Sequence, residues 1–123
     1  MMEEFSLFDA EKKLMEIIWD VAPVESRTLV TLADSKLNWS KSTTYTVLRK
    51  LKNKGFVSSE DSIVSVLIPQ EEVQIRESNQ FVTERFSGSL PKFVAAFLGR
   101  SSLSDSDADE LMKIVKEHME GDR

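Results

Sequence analysis

Apolar residues recur at helical spacing near the start of the chain. Leu14, Ile17, Ile18 and Val21 stand at positions i, i+3, i+4 and i+7, which is the spacing of a helix that buries one face against a core. The pattern predicts a first helix over residues 9–20, because a proline follows shortly afterwards and cannot continue it.

A second, shorter helix is predicted over residues 26–34. Ser26 stands where a capping serine is favoured, and the segment offers four apolar residues for burial: Leu29, Val30, Leu32 and Ala33. Residues 35–39 are then expected to form a connector to the next helix.

Both ends of a third helix are marked by residues that favour helix termini. Ser40 can accept hydrogen bonds from the free amides of a first turn. Gly55 can adopt the positive φ that ends a helix, while Leu51 and Phe56 make a hydrophobic contact across the stop. A short helix, a tight connection and a third helix predict a helix-turn-helix.

The third helix has one apolar and one polar face. Its predicted buried stripe consists of Thr44, Val47, Leu48 and Leu51. The opposite face is polar throughout and carries Ser42, Thr46, Arg49 and Asn53, with Tyr45 and Lys52 on one shoulder. The aromatic residues Trp19, Trp39 and Phe56 are expected in the core rather than as platforms for stacked bases.

The spacing of apolar residues along the chain changes from a helical to a strand-like pattern after Gly55. Residues 56–57 and the β-branched run 63–68 are typical of strands, and Glu60, Asp61 and Ser62 between them form a predicted turn. Two strands joined by that turn make a small hairpin, the wing of a winged helix.

From Gln70 onward the apolar residues again recur at helical spacing. One helix is predicted to follow for about eighteen residues, a second over residues 90–98, and a third after a cap at Ser104 or Ser106. The fold class is therefore mainly α with a small β-hairpin. An N-terminal winged helix-turn-helix over residues 1–69 precedes a helical dimerisation region over residues 70–123.

The C-terminal region is small but rich in large apolar side chains. It holds four of the seven phenylalanines. A segment of its size, however, buries too little surface to be stable on its own. A twofold dimer resolves the conflict, and packing back onto the first half of the same chain is the alternative. The predicted dimer interface consists of Phe81, Phe86, Phe93, Phe97, Leu98, Leu111, Ile114 and Val115.

Charge separates sharply along the chain. The formal net charge is −5, yet residues 35–59 hold no acidic residue and six basic ones: Lys36, Lys41, Arg49, Lys50, Lys52 and Lys54. Such segregation is the electrostatic footprint of a surface that binds phosphates. A solvated helix that happens to be basic is the alternative for this feature alone.

Composition excludes several classes of protein. The chain has no cysteine and a single histidine, His118, so thiolate zinc sites, iron-sulfur clusters and histidine-based metal sites are ruled out, and no metal or other cofactor is expected. No histidine base pairs with a cysteine nucleophile and no glycine-rich phosphate loop is present, so the chain is not expected to be an enzyme. Residues 1–10 lack the pattern of a secretion signal, and the protein is expected in the cytoplasm, with no membrane partner.

Two groups of residues resemble a known family. The run Glu11 to Trp19, E-x-x-L-M-x-I-I-W, and the run from Trp39, W-S-x-x-T-x-x-T, resemble the penicillinase and methicillin-resistance repressors of the BlaI/MecI type, which are related to copper-responsive repressors. The resemblance covers nearly the whole chain. It implies a homodimeric transcriptional repressor whose winged helices each hold one half of a DNA operator.

The resemblance also suggests roles for single residues. Thr43 and Thr46 match positions near bases or phosphates, and Ser40 matches a backbone contact. With the polar face, the predicted DNA-binding set is Ser40, Lys41, Ser42, Thr43, Tyr45, Thr46, Arg49, Lys50, Lys52, Asn53 and Lys54. Arginine and asparagine suit base contacts, whereas the four lysines of the set are assigned to phosphates.

The sequence departs from the family in three places. The wing turn is acidic at Glu60 and Asp61 where relatives place basic or small residues, so it is expected to repel phosphate and lower affinity. Some members are cut by a sensor protease at an Asn-Phe pair, and the aligned pair here is Ala96-Phe97. The cysteine cluster of the copper-responsive branch is absent, which excludes copper sensing by that route. A winged helix that binds another protein, without specific DNA binding, is the alternative function.

Overall fold

The computed structural model describes residues 7–121. Residues 1–10, on which the prediction about a secretion signal rests, lie partly outside this range. So do residues 1–6 of the first predicted domain and residues 122–123 of the second. Within the described part, six helices and three short strands follow one another. They are α1 Asp9–Val21, β1 Val24–Glu25, α2 Ser26–Leu37, α3 Lys41–Asn53, β2 Val57–Glu60, β3 Ile63–Val66, α4 Gln70–Arg85, α5 Leu90–Leu98 and α6 Asp105–Gly121. The predicted class, mainly α with a small hairpin in a winged helix-turn-helix, is confirmed.

Helix α1 supplies the centre of the N-terminal core. Leu14, Met15 and Ile18 are fully buried and Ile17 nearly so, as the helical spacing predicted. Trp19 is half-buried beside this core, and its indole Nε1 donates a 3.0 Å hydrogen bond to the carbonyl of Ile68. The predicted core position of Trp19 is thus partly exposed, with the polar end of the ring satisfied.

Helix α2 differs from its prediction at both ends. Ser26 is its first helical residue and not the cap, because Glu25 occupies the N-cap position without a side-chain hydrogen bond. At the other end the helix continues to Leu37, beyond residue 34, and stops where Asn38 adopts the left-handed conformation at φ 58°. Asparagine tolerates this conformation better than most residues, so it ends the helix where glycine is absent.

Helix α3 begins and ends as predicted. Ser40 Oγ accepts a hydrogen bond from the amide of Thr43 at the N-terminus. At the C-terminus Gly55 has φ +84°, and the amides of Gly55 and Phe56 donate to the carbonyls of Lys52 and Leu51 at 3.0 Å each. These two bonds form a Schellman motif. The predicted stripe of Thr44, Val47, Leu48 and Leu51 is buried.

The sheet has one more strand than the predicted hairpin. Its order is β1-β3-β2, and both pairings are antiparallel. Asp61 and Ser62 join β2 to β3 with φ values of 52° and 65°, as in the tight turns that match the twist of a hairpin. The added strand β1 ties the wing to the start of α2, since the amide of Ser26 donates to the carbonyl of Ser62 at 2.8 Å.

The chain divides into two compact units. The first ends at Gln80 and the second begins at Phe81. The first unit holds the hydrophobic core, which includes Phe56, Val64 and Val73 along with the α1 residues. Val73 is in the first part of α4, beyond the predicted domain boundary at residues 69–70, which stays a prediction. No helix described here is both long and apolar enough to span a membrane.

The second unit contains the C-terminal helices. Helix α5 covers the predicted residues 90–98, and α6 starts after Ser104, whose Oγ accepts from the amide of Asp107 at 3.0 Å. Of the two predicted caps, Ser104 is therefore the one used. Neither α5 nor α6 has a buried residue, which sets this unit apart from the first.

Candidate nucleic-acid interface

The polar face of α3 is open to solvent. Of the eleven residues predicted to bind DNA, nine are exposed, and only Tyr45 and Lys54 are half-buried. The buried stripe holds the other side of α3 against the core. The structure therefore presents on one helix Lys41, Ser42, Thr46, Arg49, Lys50, Lys52 and Asn53.

A cluster of hydroxyl groups marks the start of α3. Ser40 Oγ donates to Thr43 Oγ1 at 3.0 Å and accepts from the Thr43 amide at 3.2 Å, and it lies 3.4 Å from Ser42 Oγ. The cluster is exposed, and the first amides of a helix carry partial positive charge. This end of α3 is suited to contact a phosphate or a base edge, because hydroxyls can donate or accept.

The other half of α3 faces a cleft beside the wing. Arg49 and Lys52 line this cleft, whose volume is about 380 Å³, together with Ser26, Tyr45, Leu48, Ser59 and Ser62. We call it the wing cleft. Its cations come from α3 and its hydroxyls mainly from the wing and the start of α2. Arg49, which the sequence assigned to base contacts, is thus placed beside Lys52 and the wing.

Tyr45 is less available than the other predicted contact residues. Its ring is half-buried against the core, and its hydroxyl donates to Ser26 Oγ over 3.4 Å. A smaller neighbouring cleft of about 290 Å³ shares Ser26, Tyr45 and Ser62 and adds the ion pair of Arg27 with Glu25. Tyr45 therefore forms the wall between α3 and the start of α2.

Lys54 has a different environment from the other lysines of α3. Its ammonium forms an ion pair with Glu11 and lies 4.3 Å from the centroid of the Phe8 ring. The side chain is 23% exposed, whereas that of Glu11 is 3% exposed. Lys54 thus contacts the start of α1, and its expected phosphate contact stays a prediction.

Glu11 has a structural role that the sequence pattern did not predict. Glu11 Oε1 accepts from the Phe8 amide at 3.0 Å as well as from Lys54, and Oε2 is buried without a hydrogen-bond partner among the described residues. A glutamate at the third position of a helix often returns to the first free amide. Its pairing with a lysine far along the chain had no local sequence signal.

The tip of the wing is acidic, as predicted. Glu60 and Asp61 are exposed there and do not line the wing cleft. They are the chain neighbours of Ser59 and Ser62, which do line the wing cleft, so these acidic residues adjoin its edge.

Phenylalanines form a chain of ring contacts in the C-terminal unit. Phe86 and Phe93 have centroids 5.4 Å apart, and Phe81 and Phe97 extend the chain at about 6 Å. Yet Phe97 is 66% exposed and Phe81 46%. The ring contacts therefore leave much of the apolar surface in water.

Helix α6 exposes an apolar stripe. Leu111, Ile114 and Val115 are each about half exposed, and Met112 and Met119 lie beside them. A shallow apolar groove lies along this side of the helix. Of the predicted interface residues, Phe86, Phe93 and Leu98 are half-buried and the others are exposed.

Comparison with known proteins shows similarity over nearly the full length. A sequence model of the penicillinase repressor family matches residues 7–117. The chain is 27% identical over 115 residues to a penicillinase repressor of Bacillus licheniformis, covering 89% of each chain. It is 23% identical over 115 residues to the methicillin resistance regulatory protein MecI of Staphylococcus aureus strain N315, covering 90% of this chain and 94% of MecI.

Proposed function

Since the chain belongs to the penicillinase repressor family, we propose that it is a homodimeric transcriptional repressor that occupies a near-palindromic DNA operator. One observation carries the proposal: α3 presents an exposed polar face with four cations and no acidic residue. The winged-helix setting supports the docking of that face in a major groove, as recognition helices of this class do.

The proposed contacts divide by chemistry. Ser42, Thr46 and Asn53 lie on the exposed face opposite the buried stripe, where side chains of a docked helix meet base edges. Lys41 and Lys50, with the hydroxyls of Ser40 and Thr43, are assigned to phosphates, which fix position and affinity. Lys54 is not included among the proposed DNA contacts, because its charge is paired with that of Glu11.

Dimerisation is supported by the state of the C-terminal unit. Its helices α5 and α6 have no buried residue, and both expose large apolar side chains, including Phe97 at 66% and Ile114 at 58%. Apolar surface of this kind marks an interaction site. Twofold symmetry then sets two copies of α3 against two half-sites about 34–36 Å apart, or a multiple of that.

A sensor protease is a further proposed partner. Ala96 and Phe97, the pair aligned with the cleavage site of some relatives, are both exposed within α5. Cleavage there requires this part of α5 to unwind locally, because a protease binds its substrate as an extended chain. Limited proteolysis by such a protease, compared with an Ala96→Asn variant, tests whether the missing asparagine protects the bond.

A winged helix that binds another protein is the second candidate function. The acidic wing tip, with Glu60 and Asp61 exposed, favours it because a phosphate backbone repels those charges. The two functions differ in their salt dependence. A dimer that neutralises six or more phosphates loses about a thousandfold in affinity between 50 and 200 mM salt.

The deciding experiment is selection from a random duplex library at two salt concentrations, with the mass of the protein recorded in solution. Enrichment of an inverted repeat, bound by a dimer with a steep salt dependence, supports the repressor. A Thr46→Ala, Asn53→Ala variant is the matched control and is expected to lose the preferred sequence while remaining a dimer. Failure of the folded wild-type dimer to enrich any motif at low salt would favour the protein-binding function.

A further inference from the structure

The wing cleft is lined mainly by polar side chains. Six of its seven lining residues are polar, and they come from the start of α2, from α3 and from both ends of the wing turn. Pockets for apolar small molecules are lined mainly by hydrophobic side chains. The wing cleft is therefore suited to a polar ligand.

Its charge narrows the class of ligand. Arg49 and Lys52 line the cleft and no acidic residue does. Within residues 7–121 neither cation forms an ion pair or a side-chain hydrogen bond. Two like charges on one wall, each without a counter-charge in the described structure, favour an anion between or beside them.

The uncharged side chains that line the wing cleft narrow the class of ligand further. Ser26, Ser59, Ser62 and Tyr45 bring four hydroxyls to the lining, and the Tyr45 to Ser26 hydrogen bond is long at 3.4 Å. Hydroxyl hydrogens rotate to suit a new acceptor. A tetrahedral anion with several acceptor oxygens matches this set, and the guanidinium of Arg49 can donate two parallel hydrogen bonds to it.

The walls of the cleft are held in place before any ligand arrives. The Ser26 amide donates to the Ser62 carbonyl at 2.8 Å, and Ser59 pairs with Val64 in the β2–β3 ladder. Arg49 and Lys52 are one turn apart on α3, whose two ends are both capped. Such preorganisation lowers the cost of ordering the groups upon binding.

From these observations we infer that the wing cleft is a phosphate site, in which Arg49 and Lys52 hold a phosphate group against the serine hydroxyls. The phosphate belongs either to the backbone of a duplex, in which case the inference rests on the proposed function, or to a free phosphorylated molecule. For Arg49 this replaces the base contact indicated by the sequence.

The first arm of the test uses the selected duplex with single methylphosphonate substitutions, which remove the charge of one phosphate at a time. Wild-type protein is expected to lose affinity about tenfold at one phosphate per half-site, and R49Q and K52Q are expected to be insensitive at that same phosphate. Lys13→Gln, which removes an exposed cation of α1, is the control and should retain the wild-type pattern.

The second arm needs no DNA. Inorganic phosphate is titrated into the ¹⁵N-labelled full chain at constant ionic strength, with chloride as the balancing anion. Saturable shifts of the Ser26, Ser59 and Ser62 amides are expected in the wild type and Lys13→Gln, and are expected to vanish in an R49Q, K52Q double variant. The dispersed spectrum of each variant reports that it is folded.

The outcomes separate the two sources and the two proposals. A shared methylphosphonate position for R49Q and K52Q identifies a backbone phosphate. Saturable binding of inorganic phosphate without such a position identifies a free phosphorylated ligand, and this holds even if no duplex is bound and the repressor proposal fails. If neither arm shows dependence on Arg49 and Lys52, the phosphate site is overturned, whatever the outcome for the repressor.

Discussion

The Lys54 ammonium lies 2.5 Å from Oε1 of Glu11, although the two residues are 43 positions apart in the chain. The contact joins the end of α3 to the start of α1. Glu11 is buried, so its charge depends on Lys54 and on the Phe8 amide for compensation. A lysine that charge alone would assign to DNA thus also contacts a distant helix.

Loss of the Lys54 charge is expected to destabilise the protein. In Lys54→Met the Glu11 carboxylate loses its counter-charge, and the free energy of unfolding should fall by about 2 kcal/mol, less than for a fully buried pair because Lys54 is partly exposed. Urea denaturation measures the change. Lys50→Met, at an exposed position of the same helix, is the control and should stay within about 0.5 kcal/mol of wild type.

A Glu11→Gln, Lys54→Met double variant should regain part of that loss, because no unpaired charge stays buried. The free energy of unfolding that it regains distinguishes the contribution of the ion pair from that of the packed methylene groups of Lys54. If Lys54→Met unfolded at the same urea concentration as Lys50→Met, the ion pair would contribute nothing measurable.

The stop of α3 at Gly55 is expected to be sensitive to a single methyl group. Gly55 has φ +84° and open space around its Cα, so Gly55→Ala meets no clash and its cost comes from the backbone alone. The free energy of unfolding should fall by about 1–2 kcal/mol. Gly121→Ala, also in open space but without a positive φ, is the control. Equal stability of the two variants would contradict the assigned role of the Schellman motif.

A charge on the apolar stripe of α6 should abolish the proposed dimer. Ile114 is 58% exposed in the single chain, so Ile114→Asp should leave the fold intact and produce monomers in sedimentation or light scattering. Phe97→Asp on α5 is expected to act in the same way. Lys113→Asp changes the neighbouring residue on the opposite side of α6 and should remain dimeric. An Ile114→Asp dimer as stable as wild type would place the interface elsewhere.

Removing the acidic charges of the wing tip is expected to strengthen DNA binding. A Glu60→Gln, Asp61→Asn variant removes two charges that repel phosphates, and affinity for the selected duplex at low salt should rise by about twofold to fivefold. Asparagine also suits the φ of 52° at position 61, so the turn is retained. The gain should shrink as salt screens the charges, and an unchanged affinity at low salt would show that the tip stays away from the duplex.

Much of the fold could be predicted because its signals are local. The N-cap of α3 at Ser40, its stop at Gly55 and its buried stripe each depend on residues within two turns of one another. Strand β1 could not be predicted in this way, because Val24–Glu25 is two residues long and exists only through its pairing with β3. The same distant pairing makes Glu25 the N-cap of α2 in place of Ser26.

The candidate site was predictable in its composition but not in its arrangement. Every residue of the polar face could be identified from helical spacing. Two of the cations, Lys54 and Arg49, have environments that depend on α1 and the wing, which lie far away in the chain. Spacing on one helix gives the direction in which a side chain leaves the helix, and tertiary structure decides what it meets there.

The absence of acidic residues from α3, within a chain of net charge −5, has a kinetic consequence. Within the first unit this uneven distribution of charge amounts to an electric dipole, in addition to the net charge of the chain. Near a polyanion the net charge repels the molecule, while the dipole exerts a torque that turns α3 toward the phosphates before contact. Encounters through other faces are short-lived. The arrangement favours few and correctly oriented collisions over the prolonged nonspecific adsorption typical of a uniformly basic protein.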